Sequence, residues 1–327
     1  MKLATLQNGM TDGELVVVAR DLASFASVKD IAPTLQAALD DWHMLRPRLE
    51  ERYRALNGGT GGKPFDPASV HSPLPRAFQW CDGSVYEPHM QRMAKWIGKP
   101  PEPRFFEEPW MYQGASDGFL SPMEDIRAES EDWGIDYESE IAVITTKVPY
   151  AASVKRAGES IALVMLCNDV SLRNLIPAEL AKGFGFVQSK PASAFSPVAV
   201  TLDELGAAWR DCRLHGRVHS YVNENLFGDP DAGAMVHGFD RIVAHAAKTR
   251  ALSAGSIIGG GTIANDDLER GTSCIAERRV LETFACGKPI TPYLRFGDRV
   301  RIEMFGDDGR SIFGAIHQKV ARAISAP

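Results

Sequence analysis

The sequence has little of what marks a secreted, membrane-bound or nucleic-acid-binding protein. Its 327 residues include only five cysteines, without the paired short spacing of a disulfide framework or a zinc knuckle. The longest apolar run, residues 161–167, is far shorter than the ~20 residues that a membrane-spanning helix needs. The basic residues are scattered and the net charge is −6, so nucleic acid is not an expected partner.

The amino terminus also lacks an apolar signal segment, because polar residues 7–9 interrupt it early. We therefore expect no secretion and no membrane association, and a reducing cytoplasm in which the thiols stay free. Hydrophobic residues make up 44% of the chain and charged residues 24%, which is ordinary globular usage and excludes a disordered or collagen-like protein.

The first part of the chain is predicted to be a small unit of strands and one helix. Two short apolar runs, Lys2–Leu6 and Glu14–Arg20, flank a turn-rich connector and indicate strands. From Pro33 to Leu56, apolar residues recur at helical spacing. A segment rich in glycine and proline, Gly58–Pro75, then indicates a linker. We place the boundary there, between residues 1–75 and 76–327.

The larger unit reads as mostly β. Short apolar runs at Ile141–Thr146, Ile161–Leu166 and Arg299–Phe305 are bounded by turn residues, and the last predicts a hairpin with Ser311–Val320. A helix is predicted over Phe239–Arg250. The expected fold class is α+β, mainly β, with few helices in the second unit.

Two carboxylates are predicted to share one face of a strand. Glu138 and Glu140 lie two residues apart at a strand entry, which separates their backbones by about 6.6 to 6.8 Å. Both could bind one hard cation, although a pair by itself is more typical of a solvated strand face.

Asp169 and Asp82 are two further acids that could belong to a functional site. Asp169 comes directly after an apolar strand, where it could serve a site or end the strand as an Asx-turn. Asp82 precedes His89 by seven residues, and alone it is most simply a turn residue.

Oxygen ligands without paired His or Cys select Mg²⁺, Mn²⁺ or Ca²⁺ rather than zinc. Such an ion can hold neighbouring oxygens of a dicarbonyl and stabilise an enolate, and His89 could activate water.

A glycine run at 259–261 is followed by Thr262. No Lys-Ser or Lys-Thr follows it and no βαβ pattern surrounds it, which excludes a P-loop or dinucleotide fingerprint. The glycines would let backbone amides and the Thr262 hydroxyl approach a small anion. A tight turn is an equal alternative.

Several of these features occur together in one order, and in this order the chain resembles the fumarylacetoacetate hydrolase family from about Arg76 to Val320. The features are Asp82 with His89, Asp136-Tyr137 before the Glu138 and Glu140 pair, the run Asn168–Arg173, Lys190 ahead of Ser196-Pro197, and Gly261–Ile263. The resemblance implies a rolled mixed β-sheet catalytic domain over 76–327, usually dimeric, behind a reduced N-terminal β domain.

The resemblance also implies roles for individual residues. The implied metal ligands are Asp82, Glu138, Glu140 and Asp169, with Mg²⁺ as the first expectation and Ca²⁺ or Mn²⁺ as alternatives. The implied catalytic residues are His89 as the water-activating base, Glu277 as its orienting acid, and Lys190 and Arg173 as cations that stabilise negative charge. The implied substrate-binding residues are Tyr112, Gly261 and Thr262.

Two positions depart from the fumarylacetoacetase pattern. Ser84 stands where that pattern has tyrosine, and Ile176 stands where it has glutamine. Both concern substrate contacts and not the metal, so they leave the identity of the diketo acid open.

The function implied is metal-dependent hydrolysis of a carbon–carbon bond in a β-diketo acid. The first expectation is cleavage of fumarylacetoacetate to fumarate and acetoacetate, a step of aromatic amino acid catabolism, by a cytoplasmic homodimer. On the same fold, an acylpyruvate (fumarylpyruvate) hydrolase or an oxaloacetate decarboxylase is the alternative. The remote alternative is a noncatalytic ligand-binding protein, which a complete absence of divalent metal binding would favour.

Overall fold

The computed structural model describes residues 1–99 and 103–323. The strands of the first half are β1 (Lys2–Leu6), β2 (Glu14–Val18), β3 (Ser24–Ser27), β4 (Lys63–Pro64), β5 (Trp80–Ser84), β6 (Trp110–Gly114), β7 (Ile126–Ala128), β8 (Ile135–Asp136), β9 (Ser139–Thr145) and β10 (Ile161–Asn168). Those of the second half are β11 (Ser171–Leu172), β12 (Ala194–Phe195), β13 (Ala199–Thr201), β14 (Trp209–Arg210), β15 (Arg213–Leu214), β16 (Val218–Val222), β17 (Asn225–Gly228), β18 (Ile257–Gly259), β19 (Arg299–Met304) and β20 (Ile316–Arg322).

Helices lie between and around these strands. They are α1 (Leu35–Asp40), α2 (Trp42–Asn57), α3 (Glu87–Trp96), α4 (Val154–Glu159), α5 (Ile176–Leu180), α6 (Leu202–Leu205), α7 (Phe239–Ala246) and α8 (Ile275–Cys286). Within the described ranges, no helix combines the length and the apolar character needed to cross a membrane. All five cysteines are free thiols.

One large sheet runs through both parts of the chain. Its strand order is β4-β3-β2-β1-β13-β10-β9-β18-β5-β6, and β12 also pairs with β10. The central strands β9 and β10 are buried along their whole length. Such strands have apolar side chains on both faces, which explains the continuous run at residues 161–167.

The N-terminal unit joins this sheet edge to edge. Leu3 of β1 pairs with Val17 of β2 on one side and with Ala199 of β13 on the other. The predicted linker also packs, because Val70 is fully buried and forms a bridge with Leu6. The two parts therefore share two clusters of buried side chains, since each cluster contains residues from both parts.

A second sheet, with the order β17-β16-β19-β20-β7, packs across the first. Buried polar contacts join the two layers: the hydroxyls of Ser139 and Ser220 lie 2.7 Å apart, and Asn168 Nδ2 donates to Gln318 Oε1 at 2.9 Å. Buried polar groups need such partners, so these bonds fix how the layers sit. The expected α+β class, mainly β, is confirmed.

Three element boundaries differ from prediction. The helix predicted from residue 33 to 56 is two helices, because the backbone at Asp41 leaves the helical region (φ −118°, ψ 33°). Helix α7 ends at Ala246 rather than Arg250. In the predicted hairpin, β19 pairs with β20 from Ile316 onward; before that, Ser311 forms only an isolated bridge with Phe305.

The continuous sheet predicts a shared unfolding transition. Leu3→Ala removes a fully buried side chain and should lower the free energy of unfolding by about 2–5 kcal/mol. Urea unfolding followed by circular dichroism and by tryptophan fluorescence should give one transition, moved to lower urea. Met44→Ala is the control, since Met44 is 72% exposed, and it should change stability by less than about 0.5 kcal/mol. Two transitions, of which only one responds to Leu3→Ala, would contradict the shared core.

Candidate metal centre and catalytic dyad

The register of the main sheet brings three carboxylates together at one end of its inner strands. Asp82 lies in β5, Glu140 in β9, and Asp169 directly after β10. Strand β18 lies between β5 and β9, and its Gly259 pairs with Asp82. One oxygen from each carboxylate lies within 4.8 Å of the others, and all three side chains are buried. We call Asp82, Glu140 and Asp169 the three-carboxylate cluster.

Glycine lets β18 approach this cluster. A Cβ at Gly259 would lie 2.2 Å from Asp82 Oδ1, and one at Gly261 would lie 2.3 Å from the carbonyl oxygen of Gly83. Gly261 has a φ of 84°, a region that glycine adopts readily, and its amide donates to Asp82 Oδ1 at 3.1 Å. The amide predicted to meet an anion thus meets a carboxylate of the chain itself. Substrate contacts by Gly261 and the buried Thr262 stay a prediction.

The three-carboxylate cluster has the donor set of a hard divalent cation. Among the described residues, neither oxygen of Glu140 has a hydrogen-bond partner. Burial raises the pKa of Asp82 and of Glu140 well above the ordinary values, and the neighbouring carboxylates raise both further. Oxygen ligands of this kind bind Mg²⁺, Mn²⁺ or Ca²⁺, and a cation would relieve the repulsion. The residues present therefore fit a divalent metal.

Glu138 has a different environment from Glu140. Lys190 Nζ donates to Glu138 Oε2 at 2.5 Å, and Arg173 Nη2 donates to Glu138 Oε1 at 2.7 Å. Burial opposes ionisation, but the two cations outweigh it and hold the pKa of the Glu138 carboxyl below its ordinary value. Both oxygens are thus engaged by cations, and Glu138 lies outside the three-carboxylate cluster as the structure has it. Its role as a metal ligand stays a prediction.

Asp169 is held by three donors. Lys190 Nζ and Tyr112 Oη each donate to Oδ2 at 2.5 Å, and Ser193 Oγ donates to Oδ1 at 2.7 Å. Tyr112, predicted to bind substrate, reaches this position because it pairs with Asp82 across β5 and β6. Ser193 was not predicted, since a lone serine carries no pattern. These donors orient Asp169 within the cluster.

His89 and Glu277 form a buried dyad. His89 is on α3 and its Nδ1 lies 2.5 Å from Glu277 Oε2 on α8. Arg92, one turn after His89, donates to Glu277 Oε1, and its other nitrogen donates to the carbonyl oxygen of Asn265 at 2.6 Å. Burial opposes ionisation of Glu277, but the His89 ring and the Arg92 guanidinium outweigh it and lower its pKa. With Nδ1 engaged, Nε2 is the ring nitrogen left to exchange a proton.

Asp136 is a functional residue that the sequence analysis gave no role. Its side chain is fully buried and accepts from the amides of Ile275 and Ala276 at 2.8 and 2.9 Å, in the first turn of α8. Arg173 Nε also donates to it, at 2.8 Å. Asp136 thus links α8, the helix that carries Glu277, to Arg173, the cation that binds Glu138. The available signal was the alternation of acids at 136, 138 and 140, which puts all three on one face.

A cleft of about 970 Å³ opens beside the dyad. Its lining includes His89, Arg173 and Ser84 together with apolar residues of α3, α5 and α8. Ile176 also lines it, so both departures from the fumarylacetoacetase pattern face this cleft. A pocket of this size is at the upper end of the range for small-molecule sites.

Comparison with protein families gives two matches that cover most of the chain. A family model described as fumarylacetoacetate (FAA) hydrolase C-terminal matches residues 79–321. A second model, described as fumarylacetoacetase N-terminal domain 2, matches residues 1–76.

Individual proteins show the same relationship. The mitochondrial oxaloacetate tautomerase FAHD1 of Bos taurus is 26% identical over 203 residues, 58% of this chain and 83% of the relative. A solved structure from Mycobacterium smegmatis, described as an HpcE protein, aligns over 99% of this chain and 100% of its own with a TM-score of 0.73 and 20% identity. The maleylpyruvate hydrolase of Sphingobium sp. SYK-6, solved with manganese(II) and pyruvate, aligns over 99% and 100% with a TM-score of 0.65 and 17% identity. The two structures share the fold.

The unpartnered oxygens of Glu140 predict how the protein responds to metal. Glu140→Gln replaces a buried carboxyl of raised pKa by a neutral amide of similar size, so stability in excess chelator should change by less than about 1 kcal/mol. Mn²⁺ should raise the melting temperature of the unsubstituted protein and leave that of Glu140→Gln unchanged, as measured by differential scanning fluorimetry. Glu51→Gln, at an exposed position of α2, is the control and should keep the full Mn²⁺ response. A retained response in Glu140→Gln would remove Glu140 from the metal centre.

The contacts of Asp136 predict a local and a global effect. Asp136→Asn removes a buried charge that caps α8 and pairs with Arg173, and should cost about 3 kcal/mol of unfolding free energy. The substitution should make amide hydrogen exchange faster in the first turn of α8, and the increase in rate should be larger there than in α7. The matched control is Asp132→Asn, an exposed position of the preceding turn, which should leave both quantities unchanged. Unaltered exchange at Ile275 and Ala276 would argue against this contact.

Proposed function

The chain belongs to the fumarylacetoacetate hydrolase family, and on that premise we propose that it hydrolyses a carbon–carbon bond in a β-diketo acid with a divalent metal. Members of the family carry out hydrolysis, isomerisation and tautomerisation on one fold. The choice among these reactions therefore has to come from the site of this chain.

The observation that favours hydrolysis is the His89–Glu277 dyad at the wall of the cleft. Hydrolysis needs a base that deprotonates water, and a histidine whose Nδ1 is held by a buried carboxylate has the tautomer and orientation for that role. Glu277 keeps its charge because the His89 ring and Arg92 lower its pKa. A negatively charged Glu277 also stabilises the imidazolium that forms when His89 takes a proton.

The proposed metal ligands are the three carboxylates of the cluster, with Glu138 as a further candidate. A divalent cation bound there would supply Lewis-acid polarisation of the two keto oxygens. Mn²⁺ is supported by the presence of manganese(II) in the Sphingobium maleylpyruvate hydrolase, and Mg²⁺ and Ca²⁺ are chemically equivalent expectations for oxygen ligands.

The chain's own residues account for the proton and charge transfers. Water loses a proton to His89 Nε2, and its oxygen forms a bond to the keto carbon of the acyl group. The adjacent carbon–carbon bond then breaks, its electron pair stays on the departing carbon, and His89 returns the proton to that carbon. In this proposal Arg173, which lines the cleft, binds the substrate carboxylate, and Lys190 balances the negative charge of Asp169 and Glu138.

A tautomerase or a decarboxylase is the alternative, supported by the Bos taurus relative, whose name is that of an oxaloacetate tautomerase. Enolisation and decarboxylation also need polarised keto oxygens, so the metal cluster does not separate these reactions from hydrolysis. Only hydrolysis consumes water and yields two acids.

The test follows the absorbance of acetylpyruvate, fumarylpyruvate and fumarylacetoacetate with Mn²⁺ or Mg²⁺, and again with excess chelator. We expect metal-dependent loss of absorbance with at least one substrate, and two carboxylic acids as products. His89→Asn should lower kcat by about 10²- to 10⁴-fold while the Mn²⁺-induced rise in melting temperature is kept.

The control is His43→Asn, at an exposed position of α2, which should keep full activity. No cleavage of any of the three diketo acids, together with metal-dependent turnover of oxaloacetate, would overturn the hydrolase proposal and establish the alternative.

A further inference from the structure

The cleft beside the dyad is a trough between helices, and it has a polar end and an apolar end. On α3, His89, Met93 and Trp96 follow one another at helical spacing and all line the cleft. On α8, Ala276, Val280 and Thr283 do the same. Residues spaced by three and four lie on one helix face, so each helix presents a continuous stripe to the trough.

The two stripes begin at the reacting groups. His89 opens the α3 stripe, and Ala276 is next to Glu277 in the first turn of α8. Arg173 and Ser84 line the same polar end. The rise of a helix is 1.5 Å per residue, which places Trp96 about 10 Å along α3 from His89. A substrate whose carbonyl meets His89 therefore has about 10 Å of trough beyond it.

The far end of the trough is apolar and exposed. Trp96 is 54% exposed, and Ile97 and Leu180 are each 56% exposed, and all three line the cleft. Bulky apolar side chains at this exposure gain free energy when a ligand removes them from water. His89 and Arg173 line the same cleft as these side chains, so a substrate bound at the dyad can reach them.

Three cations line the trough, and their contacts differ. Arg173 pairs with Glu138 and Asp136 near the reacting groups. Arg279, farther along, is engaged by its own neighbours: Nη1 donates to the carbonyl oxygen of Thr291 at 2.5 Å, and the guanidinium lies 4.4 Å from the centroid of the Tyr293 ring. Lys99 lies at the exposed mouth. Arg173 is thus paired with carboxylates, whereas the contacts of Arg279 are to an uncharged carbonyl group and a ring. The case for an apolar substituent therefore comes from Trp96, Ile97 and Leu180.

Resting on the function proposed above, we propose that the substrate is a β-diketo acid whose acyl group is an apolar chain or ring, long enough to reach Trp96. A straight chain of about seven or eight carbons spans the 10 Å from the reacting carbonyl. This inference names the substrate class of the site and separates it from short or doubly charged diketo acids.

The experiment measures kcat/KM for acetyl-, butanoyl-, hexanoyl- and octanoylpyruvate, with fumarylpyruvate as the charged probe. We expect kcat/KM to rise about threefold per added methylene, and hexanoylpyruvate to exceed fumarylpyruvate. In Trp96→Ser, the ratio of the octanoyl to the acetyl value should fall about tenfold. Leu268→Ser is the matched control, because Leu268 is also exposed, at 59%, and lies away from the cleft lining; it should leave the ratio unchanged.

Each outcome decides the inference. Cleavage of the whole series without a gain in chain length, or with fumarylpyruvate preferred, overturns the apolar substituent and leaves the hydrolase proposal intact. Cleavage of none overturns the hydrolase proposal and the inference with it. If Trp96→Ser instead changes the mass in analytical ultracentrifugation and affects every substrate equally, the apolar end is an interface between copies of the chain.

Discussion

Repulsion among buried carboxylates is the constraint on which the rest of this structure depends. Five acids lie buried near one end of the central strands: Asp82, Asp136, Glu138, Glu140 and Asp169. Among the described residues, the cations in contact with them are Lys190 and Arg173. A buried charge without a partner is costly, and a group in that position takes up a proton or binds a cation. The raised pKa of Glu140 and its unpartnered oxygens are the local expression of this imbalance. A divalent cation is the group that would remove it.

Such a cluster needs rigid positioning, and strands and helices contribute differently to it. The cluster carboxylates belong to separate strands or strand ends, whose register is set by the backbone ladder and by the absence of a side chain at Gly259. The dyad belongs to helices α3 and α8. Asp136 connects the two systems, because it caps α8 and also holds Arg173. A displacement of α8 would therefore move Glu277 and disturb the cation that neutralises Glu138 at the same time.

The sequence predicted those parts of the site that depend on local rules. The end of an apolar run marked Asp169, and the period of a strand predicted Glu138 and Glu140 on one strand face. In the structure Glu140 lies in β9, whereas Glu138 lies between β8 and β9. The same period could not say that Glu138 would meet Lys190 and Arg173 while Glu140 would meet neither, because these partners lie 52 and 35 positions after Glu138. The partners of Asp136 in α8 lie 139 and 140 positions along the chain, beyond any local pattern. The break at Asp41 was missed for the opposite reason, since a single backbone conformation interrupted an otherwise regular helical pattern.

The division between strands and helices also explains how one fold can serve several substrates. The proposed metal ligands of the three-carboxylate cluster lie on strands of the sheet or directly after one, where a substitution would disturb the register of several strands. The cleft that is proposed to receive the remainder of the substrate is lined largely by faces of α3, α5 and α8, where a side chain can change without moving the sheet. Ile176 illustrates this, since it lies in α5 and lines the cleft but does not belong to the three-carboxylate cluster. Within the proposed function, the metal ligands therefore depend on the sheet, and the substituent that the cleft accepts depends on the faces of α3, α5 and α8.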